Sequence, residues 1–481
     1  MIDQPVSRRR FLKLLGTTFA LLGGTGLGGL VSGCGKDSLN TNTTATIAAA
    51  SSTSTTTTTV APSTTTVTTA AETGRALRIG VISAKTGRLA LFGKADDWWM
   101  DYALEALPDG ILCGDGKLRK VTFMVEDHGS SADGSAKAAT RLIGDGRVDL
   151  LMCSGAANVV NAAAAQAEAL GCPLICDFVP WRPFIFDRGG SLSQPFTWTY
   201  AHAFGFEDIQ ANFLAAWDQV ATNKKVGLLL PDDSHGHYWS DPVDGVVPVA
   251  EEAGYDSVFA GLYPVSTSDF SSSLAEFKRA GCEICFGYLT PADLTTFWQQ
   301  AQQAAYQPKI MSAAGALLFP QVVEALGPSA VGMTAESLWQ PVWPFRDSIT
   351  RKSGQDLAID YLTKTGEQWT VGIGQYAKFE WAVDVFQRVA DLVDKRDTLS
   401  RVRTTRLNTC AGLIDFTAPV TTGDPDKSFR PVENVYKAPV ACCQWTKGTT
   451  YTYEPRLVAS VTDRDLPADR TLDLMAYDAQ S

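Results

Sequence analysis

The sequence predicts an α/β protein made of two doubly wound lobes. Three observations carry that expectation. From Leu77 onward, short apolar runs alternate with amphipathic stretches of helix length, and the alternation runs through two successive sets. No long apolar run follows residue 40, so the body has no candidate membrane span. Alternation of this kind builds parallel sheets with crossover helices. Doubly wound lobes take ligands at the carboxyl ends of their strands, and two facing lobes place a ligand in the cleft between them.

In the first set, strands are expected at Leu77–Ser83, Val121–Glu126, Val148–Cys153 and Pro173–Phe178, with helices Phe92–Leu107, Ser135–Ile143 and Asn158–Leu170 between them. The second set opens with helix Glu207–Val220. It continues with strands Lys225–Leu230, Asp256–Leu262, Glu283–Tyr288 and Lys309–Ser312, separated by helices Val246–Ala253, Phe270–Ala280 and Ala292–Ala305.

Composition narrows the function. A chain of 481 residues suggests two or three domains, and 45% hydrophobic with 19% charged residues gives enough apolar surface for a large core. Of 41 Lys and Arg and 52 Asp and Glu residues, the first 75 positions hold six and three. The body therefore keeps 35 and 49, a balance of −14. Such an acidic body offers no footprint for nucleic acid. Four histidines, His128, His202, His235 and His237, argue against a His-rich metal site.

The first 75 residues read as an address, an anchor and a spacer. Ser7-Arg8-Arg9-Arg10-Phe11-Leu12-Lys13 resembles a twin-arginine export signature, followed by an apolar stretch, Leu14 to Leu30, diluted by six glycines. That mild hydrophobicity fits an export signal better than a membrane-spanning helix. Val31-Ser32-Gly33-Cys34 resembles a lipobox, which closes a signal segment of residues 1–34 and implies cleavage just before Cys34, leaving that cysteine as the lipid-modified first residue. Of residues 41–70, nineteen are Ser or Thr, with no aromatic or charged residue. Residues 35–75 are therefore expected to be a disordered spacer spanning on the order of 35 Å.

Leu77-Arg78-Ile79-Gly80-Val81-Ile82-Ser83, with Thr86-Gly87 and Phe92-Gly93, resembles the opening of type I periplasmic binding proteins. More narrowly it resembles the branched-chain amino acid, or Leu/Ile/Val-binding, family. Glu283–Gly287 with Pro291, Gly412–Phe416, and the run Asn434-Val435-Tyr436-Lys437-Ala438-Pro439 leading to Gln444-Trp445 agree with it, so that the resemblance covers about residues 76–455. It implies a Venus-flytrap of two lobes joined by three hinge crossings, residues 76–197 plus about 340–411 forming lobe 1 and 198–339 plus about 412–481 forming lobe 2. It also implies a small-molecule ligand, an ABC permease and its ATPase as partners, and an exported protein anchored to the outer face of the cell membrane through Cys34. A ligand sensor partnered with a receptor is the alternative from another class.

The same resemblance assigns ligand positions. Ser154-Gly155-Ala156-Ala157-Asn158 fits the loop that binds a ligand carboxylate, since it opens a helix whose free N–H groups attract an anion; Ser154 equally reads as an ordinary N-cap. Phe92 stands where an aromatic hydroxyl is common, and His235-Gly236 where a tyrosine precedes a glycine. Trp181 stands where a threonine is expected, beside Arg182, which offers a bidentate contact to a carboxylate. Tyr288, His202, Gly315 and Trp339 complete the expected site. Ala313-Ala314-Gly315 lacks the acidic residue implied for a ligand ammonium, and burying an ammonium unpaired costs several kcal/mol. A small apolar or aromatic acid or amide is therefore the expected ligand, with branched-chain amino acids the alternative. Eight aromatics fall between Trp181 and Phe206; they either wall the cleft or fill the hinge behind it.

An enzyme is not expected, because no G-x-S-x-G elbow, P-loop or H-E-x-x-H motif occurs. No cofactor or metal is expected either, and His235-Gly236-His237 near Asp232 and Asp233 reads as a solvated turn. Nine cysteines remain beyond Cys34; Cys153 and Cys176, on strands expected to be neighbours, are the best candidates for a disulfide.

Overall fold

The computed structural model describes residues 71–265, 267–421, 429–468 and 470–477, all within one compact unit, Thr69–Ser481. The expected export signal, Cys34 and most of the spacer lie outside the described residues. The body begins earlier than expected. Leu118 N–H donates to the Glu72 carbonyl, and Arg75 makes a bidentate pair with Asp149 (2.7 and 2.9 Å).

The first sheet is entered through β1 (Leu77–Ser83), β2 (Val121–Asp127), β3 (Leu150–Ser154), β4 (Leu174–Pro180) and β5 (Thr199–Phe204). The chain then builds β6 (Lys225–Leu229), β7 (Asp256–Val258), β8 (Ile284–Tyr288), β9 (Ile310–Ala314) and β10 (Thr334–Ser337) in a second sheet. It returns to the first sheet for β11 (Val435–Lys437) and ends in the second with β12 (Ala441–Lys447) and β13 (Tyr453–Ala459). The sheet orders are β11-β5-β4-β3-β1-β2 and β13-β12-β10-β9-β8-β6-β7. Every pairing is parallel except those of β12 and β13. Both parallel parts share one winding, with the second strand outside the first and the third on its other side. That arrangement puts a crevice at the carboxyl ends of the strands. Strands such as β4, with all seven residues buried, are apolar on both faces because helices cover both.

Several expected boundaries move. The first helix begins at Asp96 rather than Phe92, preceded by a 3₁₀ turn at Ala90–Gly93. Strand β7 stops at Val258 rather than Leu262. Thr199–Phe204, placed in lobe 2 by the sequence, is hydrogen-bonded between β4 and β11 in the first sheet. Thr, Tyr and Phe in its Thr-Tyr-Ala-His-Ala-Phe pattern favour a strand, and pairing on both edges assigns that strand to the first sheet. Of the C-terminal part expected in lobe 2, Val435–Lys437 joins the first sheet and Gly412–Asp415 pairs with Arg406–Thr409 in a separate hairpin. Only β12 and β13 extend the second.

The nine cysteines among the described residues are buried and free. Cys153 and Cys176 are register partners on β3 and β4, yet Cys176 turns its thiol to the Tyr200 carbonyl on β5 at 3.5 Å, and the expected disulfide is not formed. Three of the buried indoles are hydrogen-bonded across the core: Trp217 donates to Ser312, Trp381 to Thr405 and Trp445 to the Leu317 carbonyl, at 2.9 to 3.0 Å. Each adds a directional bond to a large buried area.

Three crossings join the lobes, after β5, after β10 and between β11 and β12. The first and third are tied by a buried cation. Lys437, 3% exposed at the end of β11, binds Glu207 at 2.8 Å and Asp208 at 2.6 Å, both at the start of helix Phe206–Trp217. Removing one partner of a buried ion pair strands the other charge and costs about 3–5 kcal/mol. Lys437→Met is therefore expected to lower unfolding free energy in urea by about that amount, with Asp208→Asn added to it recovering part. A loss under about 1 kcal/mol for the single variant would show that the pair does not hold the crossings together.

Candidate functional site

Between the lobes lies a cavity of about 210 Å³. An apolar cavity of about 150 Å³ accommodates benzene, so this one holds a ring or branched chain with a polar head. Its wall is built from strand ends of both sheets. The first lobe contributes Arg88 to Phe92 after β1, Ala156 and Asn158 after β3, Phe178 and Pro180 at the end of β4, and Phe204 at the end of β5. From the second lobe come Pro231 to His235 after β6, Tyr288 to Pro291 after β8, Gly315 to Phe319 after β9, and Glu336 with Leu338 from β10. Phe92 and Phe319 meet edge to face across the lobes with ring centroids 4.9 Å apart.

Of the residues singled out in the sequence, five line this cavity: Phe92, Ala156, His235, Tyr288 and Gly315. Ala156 is the N-cap of helix Ala157–Leu170 and provides no side-chain cap; the Val159 and Val160 N–H groups donate to the Ala156 carbonyl, which leaves the N–H groups of Ala157 and Asn158 to meet an anion. Gly155 before it has φ +110°, a conformation that favours glycine, but it does not line the wall. Gly236, next to His235, sits so close to the Pro231 carbonyl that a Cβ would fall 1.6 Å from its oxygen. This contact holds the turn that presents His235. Burial lowers the His235 pKa, which favours a neutral ring, and its Nε2 is shielded with no hydrogen-bond partner among the described residues.

Five other candidates lie elsewhere, each for a visible reason. Ser154 donates to Asp177 and accepts a hydrogen bond from Lys378 beneath the wall. Trp181 is buried and gives its indole N–H to Glu207 at 2.7 Å. Arg182 is spent on Asp244 at 2.7 Å. His202 is buried in β5, stacked on Tyr436, and burial pulls its pKa down to about 4. Trp339, fully buried, donates to the Cys410 carbonyl at 3.1 Å. The aromatic segment after β4 thus packs the hinge and the core.

The sequence reading missed the most informative residue. Glu336, 3% exposed, accepts the Gly315 N–H on Oε1 at 2.9 Å, while Oε2 is buried and has no hydrogen-bond partner among the described residues. No cation of the protein pairs with it among the described residues, and burial pushes its carboxyl up to about 7. It places a buried carboxyl beside Gly315, on the strand next to the one where an acid was looked for. A charge inside the strand Thr334-Ala335-Glu336-Ser337 was the available signal. Phe178 at φ +53° is a strained, bulky residue in the wall, and the sequence carried no hint of it. Arg88 is exposed in the wall without an ion-pair partner among the described residues.

Two lobes of matching winding around a mostly apolar cavity define a solute-binding protein. A family model for periplasmic binding proteins matches residues 76–436, and the chain belongs to that family, whose members are exported binding proteins, not enzymes. A Leu/Ile/Val-binding protein homologue of Brucella abortus is 23% identical over 262 residues, which is 54% of this chain and 63% of the relative's length. A leucine-binding protein of Thermotoga maritima has the same fold with a TM-score of 0.62 and 16% identity, covering 81% of this chain and 99% of the other. A solute-binding protein of Rhodopseudomonas palustris, solved with 3,4-dihydroxybenzoic acid, gives 0.61, 16%, 81% and 99%. A branched-chain amino acid binding protein of Streptococcus pneumoniae, solved with isoleucine, gives 0.59, 15%, 79% and 99%.

Glu336 has a measurable signature. Folded, it keeps its proton to about pH 7; unfolded, it releases it near 4.5. Its contribution to stability is therefore complete below the unfolded value and lost as pH rises through the folded one, by about 3 kcal/mol in all. Relative to Glu336→Gln, the wild type should lose about that much between about pH 4 and about pH 8 in urea titrations. Glu380, also raised to about 7, is common to both proteins and cancels. A difference that does not change with pH would place Glu336 in contact with water.

Proposed function

We propose that this protein is the ligand-capturing component of an ABC importer and works outside the cytoplasm on a lipid anchor at Cys34. Its ligand is a small apolar or aromatic amino acid. The observation that carries the ligand choice is Glu336, a buried carboxyl with a free oxygen in the wall of an otherwise mostly apolar cavity. Across the cleft, the first lobe offers the uncapped N-terminus of helix Ala157–Leu170 and Arg88. A carboxylate at that end and an ammonium at Glu336 would satisfy both poles, and the arriving ammonium favours the ionised form of Glu336. Neutral His235 and the Tyr288 hydroxyl add acceptors beside it, matching the three donors of an ammonium. Ligand contacts to both lobes shift the population towards the closed form, which the permease then receives.

An aromatic or branched acid without an amine is the second reading. It is favoured by Phe92, Phe178 and Phe319 in the wall and by the raised pKa of Glu336, whose protonated form donates to a carboxylate or amide. Thermal unfolding of the purified protein separates the two. Leucine, isoleucine, valine and phenylalanine would be compared with 4-methylpentanoate, 3-phenylpropanoate and benzoate. Saturation at about 100 times the dissociation constant stabilises by about 2.7 kcal/mol. The amino acids should stabilise, and Glu336→Gln should weaken them at least about tenfold. Stabilisation by the amine-free acids alone would replace the amino acid reading with the second one.

The anchor has its own test. Cys34→Ala should move the protein from the membrane fraction to the soluble extracytoplasmic fraction, and replacing Arg8 and Arg9 by lysine should retain it in the cytoplasm. Unchanged fractionation of the Cys34→Ala protein would remove the lipid anchor from this proposal.

A further inference from the structure

We infer that Lys378 is the positioning residue of the ligand site: without lining the cavity, its buried ammonium sets the three first-lobe loops that form one wall. The inference rests on reading the interlobe cavity as the ligand site. Lys378 belongs to helix Ala377–Arg388, in the stretch after the second crossing, and is 3% exposed. An ammonium has three N–H donors, and all three are used: one on Ser154, one on Asp177 at 2.9 Å and one on Gln375 at 3.2 Å.

Each acceptor controls a different loop. Ser154 ends β3, immediately before the turn that opens the helix at Ala156. Asp177 lies in β4 beside Phe178, which holds a positive φ of 53° in the wall. Gln375 passes the constraint on by donating its side-chain amide to the Phe92 carbonyl at 2.7 Å, and Phe92 is the ring that meets Phe319 of the other lobe. Ser154 also donates to Asp177, closing the network on itself.

A buried ion pair is weak evidence of stability, because apolar residues of similar volume often do as well or better. Its contribution here is geometric. A bulky residue at positive φ persists only where its surroundings over-determine it, and the clamp on Asp177 is adjacent to that strain. One lysine from a distant part of the chain thus sets the strand ends of β3 and β4 and the loop after β1 in a common frame. Preorganisation of this kind raises affinity by reducing the ordering that binding must complete.

The test uses Lys378→Met and Lys378→Met/Asp177→Asn. The double variant keeps the volume and removes the stranded charge, so it guards against simple unfolding. Hydrogen–deuterium exchange of the ligand-free protein reads the loops directly. Amides of residues 88–93, 154–158 and 177–179 should exchange about tenfold faster in the double variant, while the amide of Gly315 in the other lobe is unchanged. Binding of leucine and phenylalanine should weaken about tenfold while the urea midpoint of the double variant stays near the wild type. Loops that exchange as in the wild type overturn the inference whatever the protein binds, and so does unchanged affinity with loosened loops. If the wild type binds neither amino acid, the ligand reading fails, and the exchange measurement alone decides the role of Lys378.

Discussion

The constraint on which this molecule depends is the common direction of its strands. Within each lobe the parallel strands share one winding order, so all their carboxyl ends lie on one side. The two sets of ends meet at one cavity. Every loop that leaves those ends, and the uncapped N-terminus of helix Ala157–Leu170, is thereby delivered to the same place. No single segment makes the site. Eight strand ends contribute to it, and each is held by a sheet whose core is elsewhere.

Three buried charges do three different things. Lys437 is fully paired with Glu207 and Asp208 and ties two hinge crossings together. Lys378 is fully paired too, but its partners sit directly behind the wall of the cavity. Glu336 faces the cavity with no cation beside it among the described residues, and its Oε2 accepts no hydrogen bond from them. Buried polar groups are normally satisfied within the protein, so the exception marks the place where another molecule is expected to complete the bonding. The same reasoning separates Arg182 from Arg88. Arg182, at Asp244, has its charge answered inside the fold, and Arg88 is exposed in the wall.

How the sequence-based site succeeded and failed follows from the same distinction. Phe92, Ala156, His235, Tyr288 and Gly315 lie at the end of a strand or in the loop that follows one, where the winding of the sheet brings the chain to the crevice. Trp181, Arg182, His202 and Trp339 were chosen for their chemistry, as aromatic or cationic groups near a hinge. Such groups serve packing and internal pairing as readily as ligands. Their partners, Glu207, Asp244, Tyr436 and Cys410, are 26 to 234 residues away in the chain, beyond any local pattern. Glu336 escaped because an acid was sought on β9, whereas the adjacent strand reaches the same spot.

The sequence by itself determined the α/β class, the two lobes and the strand ends that face the cleft. Those properties follow from periodicity in hydrophobic residues, which is local and repeats in each unit. The membership of Thr199–Phe204 and Val435–Lys437 in the first sheet was decided by tertiary structure alone, since both are short strands assigned to that sheet by pairing with their neighbours. The partners of Lys378 and Lys437, and the free oxygen of Glu336, were decided in the same way. Whether a buried charge is answered depends on what the folded chain brings within about 3 Å of it, and that distance is set only when distant segments pack together.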